Sequence, residues 1–266
     1  MASWWTISVP AERRTIDLNA DIGEADDEAG RAVEQGLLGL VTSAHIACGG
    51  HAGDAQSMRA TVRAALQAGV RVGAHPSYPD RAGFGRRSMP LARSGLASAL
   101  ADQIGALVAV TESLGTEICS VKPHGALYGE VGGDPATFDA LVGVLVELCR
   151  PGALLVLPAG SPAVAWAREA GVAVLEEGFA DRAYAADGGL MPRGESGSVY
   201  RDPARAAAQA LGLADRGSVT AADGTTLTLA VDTLCLHGDS PNALAMARAV
   251  RDALADAGIA VAAPPA

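Results

Sequence analysis

Short apolar runs alternate along this chain with longer amphipathic stretches, and a glycine often marks the boundary between the two. Residues 15–19, 43–47 and 70–74 have the composition of strands, and helices are expected over 28–40 and 55–68. The same order of helix, glycine and apolar run recurs before residues 117–121, 172–175, 218–219 and 259. This repetition predicts βα units with right-handed crossovers and a parallel sheet.

Two further apolar runs, at 153–157 and 226–236, bring the expected number of strands to seven or eight. Polar groups follow many of these strands instead of gathering at one switch point. This favours the α/β class with a single distorted (β/α) barrel of seven or eight parallel strands over a doubly wound sheet. We assign residues 15–258 to the barrel domain, 1–14 to a loose N-terminal extension and 259–266 to a C-terminal tail.

A chemically dense turn follows the strand expected at 43–47. Gly49 and Gly50 permit a tight turn, and they leave Cys48 and His51 at the carboxyl end of that strand. Catalytic side chains of parallel α/β proteins gather at such strand ends. A purely structural βα connection is the alternative, and Asp54 would then serve only to cap the next helix.

The ends of the other expected strands carry a similar collection of side chains, and four of the five histidines follow an apolar run within a few residues. If the barrel closes, these groups converge on one mouth. They are Asn19, Asp21, Cys48, His51, His75, Lys122, His124, Glu177, Asp181, Arg182, His237 and Asp239.

Two features of these strand ends suggest anion binding. The loop at 73–87 contains Arg86 and Arg87, and paired arginines suit a carboxylate or phosphate, although they could equally be solvated on the surface. Lys122 is the single lysine among 20 basic residues. A partly buried ammonium group there could polarise an amide oxygen, hold an acyl phosphate or, with a lowered pKa, act as a base. Its alternative role is a structural ion pair.

A polar, glycine-rich stretch runs from residue 177 to residue 201. Connections of this length inside a compact domain are uncommon without a purpose. We therefore interpret the stretch as a lid or a partner-binding loop, with disorder as the alternative.

Composition narrows the range of partners. Lys and Arg total 20 and Asp and Glu total 30, so the formal net charge is −10. Without a basic patch, nucleic acid and membranes are not expected partners. The four cysteines form no C-x-x-C motif, and the start of the chain lacks the pattern of a signal peptide, so a cytoplasmic protein with reduced thiols is expected. No H-x-E motif, H-E-x-x-H motif or close histidine pair is present, so we expect no tightly bound metal.

Several motifs together resemble the LamB/YcsF family, the A subunit of ATP-dependent 5-oxoprolinase, over about residues 15–254. The segments that carry the resemblance are 17–24, 46–54, 73–87, 122–128, 179–184 and 235–239. The resemblance implies a barrel related to the polysaccharide-deacetylase-like glycosidase superfamily. It also implies opening of the 5-oxoproline (pyroglutamate) lactam to glutamate with ATP hydrolysis, in concert with B and C subunits.

The residues that we expect to carry this chemistry fall into two groups. Base, orienting and charge-stabilising roles are assigned to Asp21, His51, Lys122, His124, His237 and Asp239. Substrate binding is assigned to Asn19, Glu24, His75, Arg86, Arg87, Asp181 and Arg182. The base is one of His51, His124 and His237, oriented by Asp21 or Asp239.

The nucleotide site is expected to lie largely outside this chain. No G-x-x-x-x-G-K-[ST] loop is present, so ATP, with Mg²⁺, would be bound mainly by a partner subunit. Any partner beyond the B and C subunits would be another copy of this chain.

Two positions depart from the family's usual residues. His45 stands where the family usually has Asn, and Gly50 stands where it usually has an aromatic residue. We expect the first to alter a hydrogen bond at the mouth and the second to widen the pocket.

Two other functions stay open: a metal-dependent carbohydrate deacetylase or amidohydrolase that works without ATP, and a non-catalytic subunit that presents substrate to its partners.

Overall fold

The computed structural model describes residues 15–240 and 242–264, and within them lie ten strands and eight α-helices. The strands are β1 (Thr15–Ile22), β2 (Ser43–Ala47), β3 (Arg71–His75), β4 (Ser120–Val121), β5 (Leu154–Pro158), β6 (Val174–Phe179), β7 (Ser218–Thr220), β8 (Thr226–Thr228), β9 (Thr233–Leu236) and β10 (Ala260–Val261). The helices are α1 (Glu28–Leu38), α2 (Ala55–Ala68), α3 (Arg93–Ser113), α4 (Gly125–Gly133), α5 (Pro135–Leu148), α6 (Pro162–Glu169), α7 (Pro203–Arg216) and α8 (Ala243–Asp256).

Seven parallel strands close into a barrel in the order β1, β2, β3, β4, β5, β6, β9. The ring closes because β1 pairs with β9, from Asp17 opposite Thr233 to Ala20 opposite Leu236. Helices connect most of the consecutive strands, as the pattern of apolar runs and glycines indicated. The predicted α/β barrel is therefore confirmed, with seven strands in its wall.

The predicted strand at 226–236 is wrong, because that segment forms two separate strands. β8 pairs antiparallel with β7 in a two-stranded ribbon outside the barrel, whereas only β9 enters the barrel wall. The glycine before residue 218 therefore precedes a hairpin and not a barrel strand. The physical reason is exposure, since Thr226 and Thr228 are open to solvent and a barrel strand needs both faces covered.

The C-terminal tail also begins later than predicted. Ile259 is buried, and β10 pairs in parallel with the first two residues of β1, Thr15 and Ile16. The backbone amide of Ala262 then donates to the carbonyl of Ile16 at 3.0 Å. Residues 259–262 therefore belong to the barrel edge. The predicted N-terminal extension, 1–14, lies outside the described residues.

The interior of the barrel is polar along one side of β1. Successive residues of a strand point to opposite faces, so Leu18, Ala20 and Ile22 pack outward in the apolar core while Asp17, Asn19 and Asp21 point inward. Asn19 donates across the barrel to Glu177 at 2.9 Å and to Thr233 at 2.8 Å. This inward polar row leads directly to the carboxyl ends of the strands.

Two helices illustrate how the outer layer is fixed. Asp54 caps α2 through a reciprocal capping box with Ser57, so the structure assigns it the capping role. By length and apolar composition α3 could cross a membrane, yet it packs beside α5 and buries Leu100, Ile104 and Leu107. These buried side chains of α3 belong to the core.

Candidate active site

A cavity of about 970 Å³ opens at the carboxyl ends of the barrel strands. Its walls come from the ends of β1, β3, β4, β5, β6 and β9, and from a segment between β6 and α7 that we call the strap, residues 180–202. The predicted site residues that line it are Asp21, Glu24, His75, Arg86, Lys122, His124, Arg182, His237 and Asp239. Asn19, His51, Arg87 and Asp181 are not part of the lining.

Lys122 lies at the floor of this cavity and is almost completely buried. Its Nζ is 2.9 Å from Asp21 Oδ1, 2.9 Å from Glu177 Oε1 and 3.1 Å from Cys235 Sγ. Burial alone would lower the pKa of Lys122, but the neighbouring acids raise it well above its ordinary value. Lys122 is therefore a fixed ammonium charge, which agrees with the ion-pair role and argues against the role of a base.

Asp21 connects this ammonium group to the histidines. Its Oδ1 pairs with Lys122, while its Oδ2 lies 3.3 Å from His75 Nε2. Burial would raise the pKa of Asp21, but His75 and Lys122 outweigh it and hold that pKa well below its ordinary value. In the same way burial opposes the charge on His75, and Asp21 raises the pKa of His75. Asp21 is thus an ionised carboxylate between two basic groups.

Three imidazoles and one carboxylate meet beside Asp21. Glu24 Oε1 is 2.8 Å from His51 Nε2, 3.3 Å from His124 Nδ1 and 3.7 Å from His75 Nε2. The rings of His51 and His124 stack in parallel with centroids 3.7 Å apart. Burial and the proximity of His75 lower the pKa of both His51 and His124 to about 2, so both are neutral. We call these four residues the histidine cluster.

A second carboxylate and imidazole pair follows β6 and β9, the latter paired directly with β1. His237 Nδ1 is 2.9 Å from Asp181 Oδ1, and the backbone amide of His237 donates to Asp181 Oδ2 at 2.9 Å. Burial would raise the pKa of Asp181, but His237 lowers it below its ordinary value. The ring of His237 also stacks on Phe179. These contacts hold the imidazole in one orientation at the edge of the cavity.

The predicted roles of two carboxylates are consequently different. Asp181 is fully buried behind His237, so it orients that ring and does not reach substrate. Asp239, which we expected to orient a base, instead accepts from Arg86 at 3.2 Å and from Arg193 at 2.9 Å. Asp181 therefore holds the orienting position that was predicted for Asp239, and Asp239 is paired with two arginines at the cavity mouth.

The three predicted arginines, Arg86, Arg87 and Arg182, make different contacts. Arg86 lines the cavity, whereas Arg87 points away from it and pairs with Asp80. Arg182 donates to the carbonyls of Ser198 and Met191, so its guanidinium group holds the strap in place. Of the predicted arginines, only Arg86 keeps a guanidinium group directed to the cavity mouth.

The strap forms a defined cover in this structure, and the alternative of disorder is not what the structure shows. Isolated bridges join Arg182 to Val199 and Tyr184 to Leu190, so the segment folds back on itself. Residues 187–193 line the cavity wall. Arg193 of the strap contacts Asp239 from the loop after β9, and this pair ties the strap to the barrel mouth.

Neither of the two departures from the family pattern lines the cavity. His45 lies in the barrel interior, where Nδ1 contacts Asn19 Oδ1 at 3.3 Å and Nε2 contacts Ser120 Oγ at 3.1 Å. Gly50 does not widen the pocket. A Cβ atom at Gly50 would lie 2.2 Å from Gln103 Oε1 and 2.4 Å from Ser77 Oγ, so those side chains already occupy the space.

Glu177 was expected at the mouth without a catalytic or binding role, His45 was expected only to alter a hydrogen bond, and Arg193 was not predicted. Glu177 is a second partner of Lys122, Arg193 is a second partner of Asp239, and His45 extends the polar row of the barrel interior. Period-two alternation in β2 and β6 was the signal that could have placed His45 and Glu177 inside the barrel. Arg193 had no comparable signal, because it lies in an irregular segment.

The closed parallel barrel and its single-mouth cluster of acids, imidazoles and one ammonium group define an α/β-barrel protein with an enzyme-like cavity. The sequence model of the LamB/YcsF family matches residues 16–266, and the chain belongs to that family. The predicted family membership is therefore confirmed.

Named relatives extend over nearly the whole chain. It is 51% identical over 250 residues to the 5-oxoprolinase A subunit of Methylococcus capsulatus, covering 94% of this chain and 96% of that protein. It is 48% identical to the 5-oxoprolinase A subunit of Streptomyces griseus over 92% of this chain and 98% of that protein. Among solved structures, the lactam utilization protein of Thermus thermophilus superposes with a TM-score of 0.85 and 41% identity, over 94% of this chain and 100% of that one.

Proposed function

We propose that this chain is one component of an ATP-dependent 5-oxoprolinase that opens the 5-oxoproline lactam to L-glutamate together with B and C subunits. Relatives that are named for the 5-oxoprolinase A subunit and for lactam utilization support the reaction. The observation that carries a catalytic role is the cavity itself, in which an oriented imidazole, His237, and the guanidinium groups of Arg86 and Arg193 share one mouth.

The chemistry explains why such a cavity is useful. A five-membered lactam resists hydrolysis, so ATP transfers its terminal phosphoryl group to the lactam oxygen and leaves as ADP. Water then adds to the ring carbon, the C–N bond breaks as the nitrogen takes a proton, and an acyl phosphate remains. A second water releases phosphate and leaves glutamate. Each attack by water requires a base, and the phosphate and carboxylate groups require nearby cationic side chains.

His237 is the residue best placed to act as the base. Asp181 holds Nδ1, which leaves Nε2 as the nitrogen available to a water molecule in the cavity. His51 does not line the cavity, and His124 bonds through Nε2 to the carbonyl of Phe84 and through Nδ1 to His75. Arg86 and Arg193 would hold the carboxylate or phosphate group of the substrate in exchange for Asp239.

We further propose that ATP and its Mg²⁺ bind mainly on the partner subunits, because this sequence lacks a phosphate-binding P-loop. A reaction that consumes ATP also supports a cytoplasmic location.

The test is oxoproline-dependent ATP hydrolysis, measured with the purified chain alone and with its B and C partners. We expect activity only in the complete complex. His237→Gln should lower ring opening by about 10²- to 10⁴-fold, the range for loss of a general base, while Arg63→Ala, at an exposed position of α2, should match the wild type. Full ring opening by His237→Gln would instead favour a non-catalytic subunit that presents substrate to its partners.

A further inference from the structure

Hydrogen bonds to backbone carbonyls fix which nitrogens of two cluster histidines carry protons. His75 Nδ1 lies 2.7 Å from the carbonyl oxygen of Lys122, and His124 Nε2 lies 2.9 Å from the carbonyl oxygen of Phe84. A carbonyl can only accept, so both of these nitrogens are donors. The other nitrogens, His75 Nε2 and His124 Nδ1, therefore carry lone pairs when the rings are neutral.

These two nitrogens lie 3.0 Å apart. Two lone pairs that face each other at this distance repel unless a positive charge lies between them. Glu24 Oε1 adds a negative charge to the same point, 3.3 Å from His124 Nδ1 and 3.7 Å from His75 Nε2. The arrangement thus calls for a cation, which is either a proton or a metal ion.

The separations between these three atoms match the ligand shell of a small divalent ion. Zinc binds imidazole nitrogen at about 2.0 to 2.1 Å, so neighbouring ligands of a tetrahedral site are separated by about 3.3 Å. The observed separations of 3.0, 3.3 and 3.7 Å lie on both sides of that value. Two histidines and one carboxylate are also a common donor set for zinc in enzymes.

The surroundings of the three atoms resemble the second layer of a metal site. Histidines that bind metals usually donate their other N–H to a carbonyl or carboxylate, as His75 and His124 do here. His51 Nε2 contacts Glu24 Oε1 at 2.8 Å and can orient that carboxylate. Among the described residues, the buried Nδ1 of His51 has no hydrogen-bond partner. Because its ring stacks on His124, His51 lies beside the ion position.

We propose that Glu24, His75 and His124 bind one divalent transition-metal ion of the zinc class at the cavity wall, with His51 positioning Glu24. The three ligands come from the ends of β1, β3 and β4, which are parts of a rigid barrel. They also line the cavity, so a fourth coordination position would face substrate. This site is independent of the proposed oxoprolinase activity, since it follows from the contacts and separations of its own residues.

The proposal contradicts our expectation that no metal is tightly bound. Metal-binding motifs place their histidines close in sequence, whereas Glu24, His75 and His124 are far apart in the chain. No short metal-binding motif marks this site in the sequence, because the closed barrel brings the three ligands together from separate strand ends.

Metal binding can be measured on the purified full-length chain without substrate or partners. The chain is stripped with a chelator and titrated with Zn²⁺ by calorimetry, and with Co²⁺ by its visible absorption, which reports tetrahedral coordination. We expect one ion per chain and a higher melting temperature with Zn²⁺. Binding of less than a tenth of an equivalent, at pH 7 and again at pH 8, would overturn the proposal and leave a proton between the rings.

Two variants locate the site. Glu24→Gln and His124→Gln each remove one ligand, and each should weaken Zn²⁺ binding by roughly tenfold or more. His45→Asn is the matched control, because it removes a buried imidazole that contacts Asn19 and Ser120 and no cluster residue by hydrogen bond. Circular dichroism establishes that each variant folds. Wild-type affinity in both ligand variants, or an equal loss in His45→Asn, would show that the ion binds elsewhere.

Discussion

At the scale of single residues, Lys122 shows how composition can identify a position without giving its role. Being the only lysine in the chain, it was an evident candidate for chemistry. Its function as a fixed charge depends on Asp21 and Glu177, each 2.9 Å from Nζ. Those acids belong to β1 and β6, which are distant in sequence and meet only when the barrel closes. The residue could be predicted, but its protonation state could not.

Removal of the Lys122 ammonium group should destabilise the folded state. We expect Lys122→Met to lower the free energy of unfolding by about 3 to 5 kcal/mol at pH 7, because two buried carboxylates lose their counter-charge. Urea denaturation gives this value. Arg87→Ala is the comparison, because Arg87 also pairs with an aspartate, Asp80, but is largely exposed, and its loss should be much smaller. Equal losses in the two variants would contradict the account of Lys122.

The contact between Asp181 and His237 predicts how the free energy of unfolding depends on pH. The pKa of Asp181 is lower in the folded state than its ordinary value, so the ionised form stabilises the fold at neutral pH. This contribution is present above the unfolded pKa, about 3.9, and is lost as the pH falls further.

We therefore expect Asp181→Asn to lower the free energy of unfolding at pH 7 and to flatten its decline below about pH 4. Urea denaturation at pH 7, 5 and 3 tests this, with Asp252→Asn on the exposed face of α8 as the control. An Asp181→Asn variant that keeps the full acid-induced loss of the wild type would place the responsible carboxyl group elsewhere.

At the scale of elements, the strap is the part of the site that sequence describes least well. Its length and glycine content predicted a functional cover, and residues 187–193 do line the cavity. Its path, however, is set by irregular contacts such as those of Arg182 with two strap carbonyls. Such contacts have no periodic signature, and for this reason Arg193 was not predicted. The regular elements could be predicted because periodicity repeats over many residues.

Asp239 pairs with Arg193 and so fixes the strap at the cavity mouth. Substitution of Asp239 should therefore make the strap more mobile. We expect Asp239→Asn to increase the rate at which thermolysin cleaves near Leu190 by up to about fivefold, since an exposed ion pair contributes at most about 1 kcal/mol. Mass spectrometry of the fragments identifies the site. The control is Asp187→Asn, because the Asp187 side chain accepts from the amide of Gly189 inside the strap. Unchanged cleavage in Asp239→Asn would mean that other contacts fix the strap.

At the scale of the whole molecule, the barrel could be predicted because each βα unit carries its own local signals. Closure could not be predicted in detail, since it depends on which strand pairs with β1. The structure shows two partners besides β2: β9 along residues 17–20 and β10 at Thr15 and Ile16. The short apolar run near residue 259 gave no indication that it would pair with the first strand. The members of the histidine cluster were predicted as site residues, but their mutual contacts could not be predicted, because closure of the barrel brings them together.

Ile259 and strand β10 should therefore contribute to the stability of the whole barrel. Truncation after Gly258 removes Ile259 from the core and β10 from its pairing with β1, whereas truncation after Ala262 keeps both. Burial of one large aliphatic side chain is worth about 1.5 to 3 kcal/mol. For a chain of this size that corresponds to a fall in melting temperature of roughly 3 to 12 °C, and calorimetry should detect it only for the shorter chain. Identical melting temperatures for the two truncated chains would mean that the barrel is complete without β10.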